Sequence, residues 1–76
     1  MNTQYNGIYQ HYKGWLYEVI GAGKHTETLE DFVVYKALYT HPEFGEEALW
    51  IRPKSLFFSE VEFDGRVIPR FFKIDA

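Results

Sequence analysis

Two runs set the strongest limit on what this chain can fold into. From Trp15 to Gly21, and again from Phe32 to Tyr39, side chains alternate with a period of two. Trp15, Tyr17 and Val19 share one face, with Leu16, Glu18 and Ile20 on the other; Val33, Tyr35, Ala37 and Tyr39 alternate with Phe32, Val34, Lys36 and Leu38. Both runs are rich in Val, Ile, Tyr and Phe, which suit a pleated and half-buried surface, so both predict strands. Apolar residues on both faces point to a small barrel whose strands bend from one layer into the next.

The turns agree with this. VEFDGRVI places Asp64-Gly65 between alternating residues, the pattern of a type I′ hairpin turn, in which both central residues need positive φ. A two-residue loop pairs Phe63 with Arg66, Glu62 with Val67 and Val61 with Ile68, with Val61, Phe63 and Ile68 facing inward. Pro69 cannot donate to a ladder, which places its strand at an edge or at its end. KHTETLED, residues 24–31, has no apolar period and reads as a hairpin loop, with room for one helical turn capped by Thr26 or Thr28. GIYQHY, ALWIR and the segment from Arg70 to Ile74 add short strands, and Pro53 opens a helical turn near residues 53–57. The expectation is a mainly β domain: a small antiparallel SH3-like barrel of five to seven short strands with one short helical turn. One domain spans residues 1–76, and residues 1–6 are expected to be flexible.

Composition narrows the function classes. A domain of 76 residues hides a modest share of its surface, and here seven Phe, six Tyr and two Trp must supply the core. There is no Cys, which excludes a disulfide framework, a thiolate zinc site and a Cys nucleophile. No apolar run approaches the roughly 20 residues of a membrane span. MNTQYNGIYQH lacks the basic and apolar regions of a signal peptide, so a soluble cytoplasmic protein is expected. Net charge is −3, with eight Lys and Arg against eleven Asp and Glu, which argues against a duplex nucleic-acid binder. A local basic patch from Arg52, Lys54, Arg66 and Arg70 is compatible with this composition, although scattered solvated charges explain it as well.

Several stretches taken together resemble a known family. QHYKG and the following YEV, then KHTET, VVYKALY, LWIRP and IPRFF, are similar to short bacterial proteins called domain of unknown function 1653. The matching positions run from about Tyr9 to Phe72 and include His11, Tyr12, Lys13, His25, Glu27, Tyr35, Tyr39, Trp50, Arg52, Phe57 and Arg70. The resemblance implies a compact β-rich domain that stands alone. It implies no activity.

Three groups of residues compete as a site. His25 and Glu27 place an imidazole near a carboxylate, the material of an acid–base pair or the start of a metal site. The spacings between His11, His25 and His41 match no metal motif, and turn-forming side chains commonly satisfy loop amides, so the turn is the preferred reading. Trp50 and Arg52 form the second group. If Leu49 and Ile51 face the core, the Trp–Arg pair stands on the outer face, the composition of a binding hot spot. The competing reading has the carboxy-terminal segment, with Phe71 or Phe72, covering Trp50. The third group is Tyr9, Tyr12, Tyr17, Tyr35 and Tyr39, an aromatic groove or, preferably, core residues with their hydroxyls at the rim.

No catalytic residue, cofactor, metal or membrane partner is expected. The leading expectation is a non-catalytic binding module that presents Trp50, Arg52, His25, Glu27 and Tyr12 to a peptide or protein. Two alternatives stay open. One is a small metal-dependent or acid–base enzyme using His25 and Glu27; the other is a single-stranded nucleic-acid binder using Arg52, Lys54, Arg70 and aromatic stacking.

Overall fold

A computed structural model describes residues 5–75; the expected flexibility of residues 1–4 lies outside them. The chain is mainly β. Its strands are β1 (Gly7–His11), β2 (Leu16–Lys24), β3 (Asp31–Ala37), β4 (Thr40–His41), β5 (Gly45–Glu46), β6 (Leu49–Pro53), β7 (Glu60–Phe63), β8 (Arg66–Pro69) and β9 (Phe71–Lys73), with one helical turn, α1 (Lys54–Phe57), after β6. Every segment expected to form a strand does so. The extra pair, β4 with β5, lies in THPEFGEEA, where two residues a side are too few for alternation to show.

Five strands form one antiparallel sheet in the order β6-β3-β2-β1-β9, and β7 with β8 forms a separate hairpin. The sheet curls without closing into a barrel, because its edge strands β6 and β9 are not hydrogen-bonded to each other. Aromatic packing spans that seam. Phe57, from the turn that follows β6, stacks on Phe71 of β9 with centroids 4.1 Å apart and ring planes 6° from parallel.

The inward face carries the core: Tyr9, Val19, Val33, Tyr35, Ala37, Phe57 and Phe71. Alternation in β2 and β3 holds as read, with Tyr17 and Val19 inward beside Val33, Tyr35 and Ala37. The β2–β3 register shifts between Val19 and Gly21, a bulge that bends the sheet there. Asp64 at φ 54° and Gly65 at φ 77° make the type I′ turn, and the β7–β8 register is the one expected. Val61 and Ile68 are partly buried as expected, whereas Phe63 is half exposed.

Loop 25–30 makes a single helical turn, as expected. The Leu29 N–H donates to the His25 carbonyl at 2.8 Å, and the His25 N–H donates to the Glu30 carbonyl at 2.9 Å. Its cap is neither expected threonine. The Nδ1 of His25 accepts the N–H groups of Glu27 and Thr28 at 3.2 and 3.3 Å, and Thr28 Oγ1 accepts that of Glu30 at 3.2 Å. His11 and His41 act alike: Nδ1 of the first accepts the Lys13 N–H at 3.1 Å, and that of the second the N–H groups of Glu43 and Phe44 at 3.0 and 3.3 Å. An imidazole reaching two residues ahead does here what an Asx side chain does in other turns. All three loops therefore need an unprotonated Nδ1.

Candidate functional site

Four strands, β1, β2, β3 and β6, bring side chains to the Phe71 ring on β9. His11 on β1 pairs directly with Phe71 on β9, which puts both on the inner face, and their rings meet edge to face at 4.9 Å and 79°. Arg52 on β6 holds its guanidinium carbon 5.5 Å from the Phe71 centroid. Tyr17 and Tyr35 close the far side with centroids 5.7 and 5.6 Å from Phe71. The loop after β1 adds Tyr12, whose N–H donates to the Arg70 carbonyl at 2.9 Å and whose ring lies 4.5 Å from His11 and 5.6 Å from Phe63. Arg70 Nε donates to Ser59 Oγ at 3.1 Å.

The charge here is of one sign. The ion pairs among the described residues use Lys24 with Asp31, Lys36 with Glu18 and Glu47, and Lys73 with Asp75. All are on the surface and contribute little to stability. Lys13, Arg52 and Arg70 have no carboxylate within ion-pair distance among the described residues. They act together on His11: burial lowers the imidazole pKa below its ordinary value, and the Arg52, Lys13 and Arg70 charges lower it further. Burial raises the Tyr35 hydroxyl, against which the Arg52 charge pulls. Burial also raises that of Tyr17, reinforced by its 2.7 Å hydrogen bond with the Tyr39 hydroxyl.

The depressed His11 pKa has a consequence for stability. As pH falls, the unfolded chain takes up this proton before the folded one does. The contribution of His11 is therefore complete above the ordinary imidazole value of 6.5 and is lost as pH falls through the lower folded value. Urea melts at neutral and mildly acidic pH should show the protein losing more stability than its His11→Asn variant, in which an amide oxygen can still cap the turn. Parallel losses would refute the assignment.

The structure corrects the expected orientation of β6. Trp50 lies opposite Tyr35, and Arg52 opposite Val33, and side chains of directly paired residues share a face. Tyr35 and Val33 are core, so Trp50 and Arg52 point inward, while Leu49 and Ile51 stand 64% and 67% exposed. Trp50 is covered, but by Phe44 at 5.4 Å and His41 at 6.0 Å from the β4–β5 hairpin rather than by Phe71 or Phe72. His25 and Glu27 sit elsewhere: among the described residues no hydrogen bond, ring contact or ion pair joins them to Trp50 or Arg52. Glu27 accepts a short hydrogen bond from the Thr26 hydroxyl. No three His, Asp or Glu side chains come together as metal ligands among the described residues. Of the five expected binding residues, the fold unites Tyr12 and Arg52. It adds His11 and Arg70, both visible in the sequence, one as a lone histidine and the other within the basic patch.

Comparison with known proteins agrees with this fold. The family model "Protein of unknown function (DUF1653)" matches residues 7–73. The chain belongs to this family. A crystal structure of a DUF1653 protein from Bordetella bronchiseptica is similar, with a TM-score of 0.80 and 30% identity over 91% of this chain and 85% of that one. No curated protein matches the chain. The matched span of this DUF1653 domain contains every residue around Phe71 described above. No helix among the described residues is long and apolar enough to cross a membrane.

Proposed function

We propose that this DUF1653 domain is a non-catalytic, cytoplasmic binding module that recognises an acidic segment of a peptide or protein. The observation that carries the reading is that Arg52 lies against the Phe71 ring beside His11, with Lys13 and Arg70 adjoining these residues in the chain, and that none of the three cations has a carboxylate within ion-pair distance among the described residues. Cations left unpaired beside aromatic faces are ready for an incoming carboxylate, and a guanidinium can grip one through two parallel hydrogen bonds. Tyr12 and the half-exposed Phe63 flank the charges and offer apolar contact for neighbouring ligand residues. Trp50, His25 and Glu27 drop out of the binding surface in this reading. His25 uses Nδ1 to hold its own loop, which also leaves the acid–base and metal alternatives without a specific support.

The test is an amide NMR titration of the labelled protein with a glutamate-rich peptide and a lysine-rich control. The glutamate peptide should shift the signals of His11, Tyr12 and Arg52. Arg52→Ala should weaken its binding about tenfold or more, in line with roughly 1.5–3 kcal/mol for a hydrogen bond to a charged group. Equal response to both peptides, or none, would sink the reading. Shifts with an oligothymidine but not with the peptide would replace it with single-stranded nucleic-acid binding.

A further inference from the structure

The geometry points to self-association through the open edge of β6, which pairs antiparallel with β6 of a second copy and joins the two sheets. The first observation is the state of the main chain. The Ala37 N–H donates to the Ala48 carbonyl at 2.9 Å, and the alternation of an antiparallel ladder then places Trp50 and Arg52 in hydrogen-bonded pairs with β3. The N–H and C=O groups of Leu49 and Ile51 point the other way, and none of them bonds to a loop among the described residues. These same residues carry the most exposed aliphatic side chains of the sheet, 64% and 67% open.

An edge of this kind is usually blocked by brevity, charge, proline or a bulge. The opposite edge follows that rule: β9 has three residues, ends in Lys73, and is followed by Asp75, whose Oδ1 accepts the Ile8 N–H at 2.9 Å. β6 has five residues, a regular register with β3, and its one proline at the end.

Charge selects the occupant. The segment from Glu46 to Lys54 reads EEALWIRPK, acidic at one end and basic at the other, so an antiparallel second copy is its complement. A two-fold axis at Trp50 sets Leu49 against the partner's Ile51 in a hydrogen-bonded pair. It also brings the acidic end of the segment, Glu46 and Glu47, to the partner's basic end, where Lys54 begins α1; neither Glu46 nor Lys54 has an ion-pair partner in its own chain among the described residues. Pro53, with no N–H to give, faces the partner's Glu47, which has already left the strand at φ 53°. The paired Leu49 and Ile51 side chains then cover one another on the outer face beside Val34, while Arg52 and His11 stay on the inner face. The pairing is independent of the anion reading.

Sedimentation of the full chain from micromolar to millimolar concentration tests the proposal. The mass should rise from 9.0 kDa towards twice that value. Ile51→Lys changes an exposed side chain, so it should fold, as an amide NMR spectrum would show, and remain monomeric. Glu46→Lys and Lys54→Glu should each weaken the dimer several-fold, and the double variant should restore it, because each charge meets its opposite on the other copy. A single-chain mass at every concentration, or a dimer that survives Ile51→Lys, would overturn the inference. A double variant as weak as either single one would overturn the register.

Discussion

Replacing Phe57 with alanine is expected to destabilise the domain by about 3–5 kcal/mol, the usual cost of truncating a buried phenylalanine. The side chain has no exposed surface. Its ring meets Tyr35 at 5.2 Å, Tyr9 at 5.4 Å, Phe58 at 5.0 Å and Phe71 at 4.1 Å, so the cavity would open among four further aromatics. A domain of 76 residues has a total stability of about 4–11 kcal/mol at the usual value per residue, so the loss is a large fraction of it. Urea denaturation followed by far-ultraviolet circular dichroism measures the loss. A loss below about 1 kcal/mol would mean that α1 is an appendage and that the seam between β6 and β9 needs no filling.

Trp50 is the second large effect, and it separates the two orientations of β6. An outward Trp50 would tolerate alanine with little change in stability. With the indole against Tyr35 and beneath Phe44 and His41, Trp50→Ala is expected to cost about 3 kcal/mol. Trp50→Phe should cost far less, because it keeps the ring contacts and removes an indole N–H that is buried without an acceptor among the described residues. Both variants can be compared by their urea midpoints. Equal and small losses would return Trp50 to the surface.

The β6 case shows what the sequence can and cannot reveal about this fold. Strand identity and turn chemistry are local, so the Asp64-Gly65 hairpin, its register and the alternation in β2 and β3 are legible from neighbouring residues. Which face of β6 lies inward is not local. Leu49, Trp50 and Ile51 are all apolar, so a period of two defines two faces without ranking them, and pairing with β3 decides. Barrel closure is likewise a matter of which strands meet at the edges. The site has the same limit: His11, Arg52 and Phe71 sit on β1, β6 and β9 and meet only after the sheet curls. Histidine capping escapes notice for another reason. An imidazole that accepts a main-chain N–H two residues ahead has no distinctive neighbour in the sequence, as HYK, HTE and HPE show.

The β1–β9 pairing also bears on the order in which the molecule can be made. The N–H of Ile8 is held by the carboxylate of Asp75, 67 residues later, and Tyr9 pairs with Lys73. The β2–β3 and β7–β8 hairpins can form as soon as they leave the ribosome, because their contacts are local. The central aromatic stack cannot. Phe57 has no Phe71 to lie against until translation is almost past β9, and contacts this far apart form late because closing so long a loop costs entropy before anything is gained. A nascent chain thus leaves its most deeply buried ring uncovered until β9 has been made, so the core assembles late in the synthesis of the domain.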